Sequence, residues 1–236
     1  MRLCYSIISC VLFLFVGCKD TSSTINPDDT TLNDSTFTDI RDEKKYGLVK
    51  INTQVWMSEN LNASTYRNGD IIRHASTKQE WLDAAGRGEG AWCYYDHDPK
   101  NGAIYGKLYN WYAVKDSRGL APKGYHIPND AEWTILTDFL GGESVAGKKI
   151  KSTSGWDNGD NGDNSSGFNG LPGGECSNNG YFDGYFDGIT HNGCWWSSSE
   201  NKTNDAWGRD LNAYNEQVNR SASYKGYGLS VRCIKD

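Results

Sequence analysis

The stretch of the chain that best suits metal chemistry is Asp157-Asn158-Gly159-Asp160-Asn161-Gly162-Asp163-Asn164. Calcium takes six to eight oxygens from carboxylates, amides and carbonyls, on a backbone that glycine lets fold back on itself. Asp157, Asp160 and Asp163 are the candidate calcium ligands. The spacing is not that of an EF-hand, because Gly159 stands where a third-position Asp or Asn belongs. The same composition also suits a solvated, turn-rich loop. A second stretch, Tyr181-Phe182-Asp183-Gly184, is repeated at once as Tyr185-Phe186-Asp187-Gly188. Tyr181, Phe182, Tyr185 and Phe186, set among glycines, are the candidate ligand-binding residues. Aromatic faces stack on sugar rings while nearby Asp or Asn side chains take the hydroxyls. Trp195, Trp196 and Trp207 have the same capacity, but a strand alternates its side chains, so one of Trp195 and Trp196 must face the core. These tryptophans read mainly as structural.

Catalytic patterns are sparse. The sequence has no His-Glu-x-x-His and no Gly-x-Ser-x-Gly. His126 stands just before a capped helix and reads as a packed turn residue. His191 and Cys194 are two potential zinc ligands without a second close pair. Cys93, Cys176, Cys194 and Cys233 are an even set, which in an oxidising compartment allows three pairings. The expected pairs are Cys176–Cys194, closing a short Gly-rich loop, and Cys93–Cys233, tying an early strand to the last one.

The elements that must position these residues are legible in part. Tyr46 to Ile51 and Gln54 to Met57 read as a hairpin turning at Asn52-Thr53. A helix is expected after Ser76, with Gln79 in the capping-box place and Trp81 and Leu82 on its buried side. Ala91 to Tyr95 reads as a strand, and Tyr105 to Val114 is open between helix and strand. Asn129 and Glu132 form a capping box for a helix whose buried face is Trp133, Leu136, Phe139 and Leu140, stopped by Gly141-Gly142. A shorter helix is expected from Glu143 to Ile150, and a loop from Ser152 to Gly167. Strands are expected at 193–198, 206–213, 217–220 and 228–234. The sum is an α+β fold of short antiparallel strands, two or three helices and long irregular loops.

The first residues carry a different signal. Arg2 is followed by an apolar run to Gly17, shorter than the roughly 20 residues a spanning helix needs. It reads as a signal peptide over residues 1–17. Phe15-Val16-Gly17-Cys18 resembles the lipobox of bacterial lipoproteins, which makes Cys18 the expected lipidation site. Lys19-Asp20 resembles the start of a surface-export signal. The expected location is the outer membrane, at the cell surface, held there by a lipid anchor; stable attachment takes more than one acyl chain, as a triacylated cysteine supplies. Residues 18–36 are polar, cannot bury a core and read as a tether of roughly 60 Å at full extension. All nine Trp fall between Trp56 and Trp207, and residues 37–236 are read as one domain. The formal charge of −6 argues against nucleic acid as a partner.

Six strings, in this order, point to a family: Val55-Trp56-Met57-Ser58-Glu59-Asn60-Leu61; Tyr105-Gly106-Lys107-Leu108-Tyr109-Asn110-Trp111; Gly124-Tyr125-His126-Ile127-Pro128 running into Asp130-Ala131-Glu132-Trp133; Leu171-Pro172-Gly173-Gly174; Trp195-Trp196-Ser197-Ser198-Ser199-Glu200; and Gly228-Leu229-Ser230-Val231-Arg232-Cys233. Together they resemble the Fibrobacter succinogenes major paralogous domain. Ala121 stands where many members carry a cysteine, which implies a different disulfide scheme here. The resemblance implies a C-type-lectin-like fold, shared with formylglycine-generating enzymes, on secreted or lipid-anchored bacterial proteins. Two function classes follow: a surface binding or adhesion module for a glycan or a surface protein, and, as the alternative, an enzyme on a formylglycine-generating-enzyme-like scaffold. The expected reading is the non-enzymatic one, with calcium as the one candidate cofactor.

Overall fold

The computed structural model describes residues 35–177 and 184–236, which fall within one compact unit, 33–236. The signal peptide, Cys18, nearly all of the tether, Tyr181 and Phe182 lie outside the described residues. In chain order the elements are β1 (Thr36–Thr38), β2 (Lys45–Ile51), β3 (Gln54–Met57), β4 (Arg73–His74), α1 (Lys78–Gly86), β5 (Ala91–Cys93), α2 (Pro99–Tyr105), β6 (Leu108–Tyr109), α3 (Trp111–Val114), β7 (Tyr125–His126), α4 (Asp130–Phe139), α5 (Ala146–Ile150), β8 (Gly173–Cys176), β9 (Phe186–Ile189), β10 (Asn192–Glu200), β11 (Asp205–Asn212), β12 (Asn219–Tyr224) and β13 (Ile234–Lys235). They form three sheets, ordered β1-β2-β3-β13-β7, β12-β11-β10-β8-β9 and β4-β5-β6. The class is α+β. Among the described residues no helix is long and apolar enough to cross a membrane.

The helices form for local reasons. Asn129 accepts the Glu132 amide while the Glu132 carboxylate accepts the Asn129 amide, so α4 starts where the capping box places it. Trp133, Leu136 and Leu140 are buried beneath it. Phe139, expected on that face, is 57% exposed; it sits about 100° round the helix from Leu140. The first helix is capped by Thr77 and Glu80, not by Ser76 and Gln79, and buries Trp81, Ala84 and Ala85. The undecided Tyr105–Val114 segment holds both a strand, β6, and a helical turn, α3.

The second sheet is buried on both faces. Trp195 packs with Trp56, Trp133 and Phe168, while Trp196 on the opposite face packs with Tyr109 and Trp111. Both are buried, because strand alternation sends them into different cores rather than one to core and one to water. A hydrogen-bond net joins the sheets through Asn60. Its Oδ1 accepts from Trp195 Nε1 at 2.8 Å and from Arg232 Nη2 at 2.8 Å, and its Nδ2 donates to the Tyr105 carbonyl at 2.8 Å. Arg232 is fully buried and also donates to the Met57 and Phe168 carbonyls.

The expected disulfides are corrected by this packing. Cys93, Cys176, Cys194 and Cys233 are all buried, and no two of them are joined in the structure. Cys176 faces a core shared with Cys93, Trp81 and Tyr95, whereas Cys194 and Cys233 face the core around Trp196. Neither Cys176–Cys194 nor Cys93–Cys233 is a neighbouring pair of side chains for that reason.

Candidate functional site

The second copy of the Tyr-Phe-Asp-Gly repeat, Tyr185 to Gly188, leads into and through β9, which pairs with β8. Ser177 closes the hairpin: its amide donates to the Tyr185 carbonyl at 2.7 Å, and its own carbonyl accepts the Gly184 amide at 2.7 Å. Tyr185 projects outward, 63% exposed, with Lys78 Nζ 5.4 Å from its ring centroid. Gly184, at φ +63°, allows that approach, since a Cβ there would come within 2.6 Å of Lys78 Cγ. Phe186 turns the other way and packs on Tyr95, at 5.1 Å between centroids, and edge-on against His97, at 4.9 Å. Of the four aromatic candidates, Tyr185 is thus open to a ligand and Phe186 anchors the loop.

The wall beneath is a backbone held out of its ordinary range. Asp96 and His97 have φ of +55° and +54°, and neither is glycine. Strain of this kind gathers at functional sites and persists only where the surroundings hold it in place. Here the turn is fixed by α2, which begins at Pro99 after the Asp98 cap, and by Phe186. The His97 ring lies by the Ala75 backbone, and its buried Nδ1 has no hydrogen-bond partner among the described residues. Burial lowers the His97 pKa, which favours the neutral ring. Beside it His74 stacks on Trp92, with centroids 3.9 Å apart and planes 8° apart, and Tyr94 meets both rings edge-on. Lys107, buried, lies 4.2 Å from the Trp92 ring and donates to the Asn62 carbonyl and Ser64 Oγ. Burial pulls its pKa down to about 8. The Asp96-His97 turn, Phe186 and the exposed Tyr185 with Lys78 make a ledge, and the stacked His74, Trp92 and Tyr94 rings form a second cluster. His97 and Lys78 were not legible as site residues in the sequence; the consecutive Asp96-His97-Asp98-Pro99 run was the only signal.

The other candidates are placed elsewhere. Asp157 pairs with His191 Nε2 at 3.0 Å, Asp163 accepts the Ser165 amide at 2.8 Å, and Asp160 offers its carbonyl to Lys151. Among the described residues no three His, Cys, Asp or Glu side chains are gathered to hold a metal. Trp207 is covered by Arg220, whose guanidinium carbon is 3.3 Å from the ring centroid. His126 borders a depression of about 300 Å³ with Arg67, Asp116 and Ser198. Its Nδ1 is 2.7 Å from Asp236 and its Nε2 3.0 Å from Glu132, so neither nitrogen is free to serve Ser198 as a base.

No curated protein and no solved structure matches the chain. The profile of the Fibrobacter succinogenes major domain matches residues 49–235, from the second strand to the last. All six ordered sequence strings fall inside that span, so the chain belongs to the Fibrobacter succinogenes major domain family.

Proposed function

We propose that this domain is a ligand-binding module, for glycans in the first instance, on an exported protein anchored to the outer membrane through Cys18. The observation that carries the binding reading is the ledge: an exposed tyrosine ring flanked by a lysine, seated on a hairpin that is fixed to a strained Asp96-His97 turn. An aromatic ring that is exposed yet held by its neighbours stacks on a pyranose face with little loss of side-chain entropy, and Lys78 supplies a donor to a hydroxyl or carboxylate beside it. The C-type-lectin-like fold that the family resemblance implies agrees with this use of loops on a rigid scaffold. A glycan-array screen, run with and without calcium, is the direct test. Tyr185→Ala should weaken a retained glycan about tenfold, the value of one lost stacking contact, without lowering the melting temperature. Failure to retain any glycan refutes the binding reading; a retained glycan bound equally by Tyr185→Ala moves the site off the ledge. The anchor is tested separately. Cys18→Ala should leave the protein unprocessed or in the soluble fraction, and membrane recovery equal to the unaltered chain refutes it.

A further inference from the structure

We infer that Cys93 and Cys176 form a disulfide that staples the two walls of the ledge. The two thiols are neighbours, and both side chains are fully buried in the core made by Trp81, Ala84 and Tyr95. Their strands reach that core from different sheets. In β5 the alternation sends Trp92 to one side and Cys93 to the other, toward Trp81. In β8, Cys176 pairs with Phe186 and also bridges to Gly228 through two backbone hydrogen bonds, which fixes where its thiol points. A Cβ on Gly228 would come within 3.1 Å of Cys176 Cβ, so that side of the thiol is packed solid.

The other two cysteines are held away from this pair. The Cys194 thiol faces the Asp210 and Glu175 carboxyl groups, its neighbours in register across the second sheet. Cys233 lies in the core around Trp196 and Tyr109. Of the three ways to pair four cysteines, the two that join Cys93 or Cys176 to Cys194 or Cys233 link thiols in different cores, whereas Cys93 and Cys176 share one.

The chemistry is thiol–disulfide exchange with a small disulfide such as oxidised glutathione. Two S–H bonds break and one S–S bond forms. The two protons and two electrons pass to the glutathione disulfide, which leaves as two thiols. Burial, and then the neighbouring Cys176 thiol, push the Cys93 pKa well above its ordinary value, so almost no thiolate exists in the folded chain. The bond therefore forms while the chain folds, and reagents reach it slowly afterwards. Its place gives it a role. Cys93 stands two residues before the Tyr95–His97 turn, and Cys176 begins the hairpin that carries Tyr185. The bond stands whether or not the ledge takes a glycan, because its test uses no ligand.

The full chain is refolded from denaturant in mixed reduced and oxidised glutathione, and free thiols are then capped with N-ethylmaleimide. Digestion without reductant uses a protease that cuts after acidic residues, which separates Cys176 from Cys194 at Asp183 and Asp187. A peptide joining Cys93 to Cys176, with Cys194 and Cys233 capped, is expected. Recovery of Cys93 and Cys176 both capped, or a link from either to Cys194 or Cys233, overturns the inference. Reduction of the refolded protein should lower its melting temperature by about 10 °C, as expected for a bond closing a loop of this length. The Cys93→Ala/Cys176→Ala double variant should be indifferent to reductant, and an unlinked Cys194→Ala variant overturns the inference as surely as an unlinked unaltered chain.

Discussion

Glu175 gives the structure its sharpest dependence on pH. The register lays a row of side chains across the second sheet. Asp187 lies opposite Glu175, Cys194 is next to Glu175 on the other side, and Asp210 lies opposite Cys194. Burial first, and then the Asp210 and Asp187 charges, raise the Glu175 pKa from 4.5 to about 7, and only the neighbouring Cys194 thiol opposes them. Asp210 is also raised, by burial first, against bonds from Ser221 and Cys194 and the charge of Arg209. Between pH 4.5 and about 7 the folded chain therefore holds a proton on Glu175 that the unfolded chain has released. The stability Glu175 allows is full below pH 4.5 and is lost as pH rises through about 7. At about 1.4 kcal/mol for each tenfold change in proton affinity, the loss is about 3 kcal/mol. Glu175→Gln keeps the shape and removes the charge. In urea unfolding it should match the unaltered chain near pH 4.5 and exceed it by about 2–3 kcal/mol at pH 8. Equal effects of the substitution at both pH values, or a less stable variant at pH 8, would show that the carboxyl is not strained by its neighbours.

His126 runs with a smaller amplitude. Burial alone lowers its pKa, but the bonds to Asp236 and Glu132 outweigh that and raise it above 6.5. Its contribution is complete below pH 6.5 and fades as pH rises through the higher folded value. The ring is 39% exposed, so solvent screening holds the effect below about 1 kcal/mol. His126→Asn should lessen the fall in unfolding free energy between pH 6 and pH 9, and an unchanged fall refutes the assignment. Asn60→Ala should cost about 3–5 kcal/mol, because it leaves Arg232 and Trp195 Nε1 short of their buried acceptor. A loss below about 1 kcal/mol by thermal or urea unfolding would mean that the net is slack.

What the sequence made legible was local. The capping box of α4 needs only Asn129 and Glu132, three residues apart, and it stands as read. At α1 the register slipped by one, since Ser76 and Thr77 are both eligible caps; the Glu80 carboxylate decides by accepting the Ser76 and Thr77 amides. The cysteine pairing failed because it depends on which face of which sheet a strand presents, and Cys176 and Cys194 enter different cores. The Trp195-Trp196 argument assumed one solvated face, whereas that sheet is covered on both. The β8–β9 hairpin was not read as strands at all. Gly173 and Gly174 carry no strand signal, yet Gly174, at φ +64°, is what lets the hairpin lie on Tyr95, since a Cβ would come within 2.6 Å of that ring. Residue types in the Asp157–Asn164 loop gave the right inventory for a metal but not the directions of the carboxylates, which turn to separate partners.

The six strings that mark the family have a common structural meaning. Asn60 from the first accepts hydrogen bonds from Trp195 in the fifth and Arg232 in the sixth. The Trp111 indole in the second donates to the Ser197 carbonyl in the fifth, and the Trp196 indole donates back to Tyr109. Asp130 in the third holds Arg209 and Arg220 on the second sheet. Five of the six strings thus contribute side chains that tie a sheet to another element of the fold, most of them in buried positions. Membership in the family therefore fixes a scaffold. The exposed Tyr185 lies outside the six strings, on the hairpin that the scaffold carries. In the proposed binding reading, recognition falls to the ledge, and the strings that identify the family belong to the scaffold that carries it.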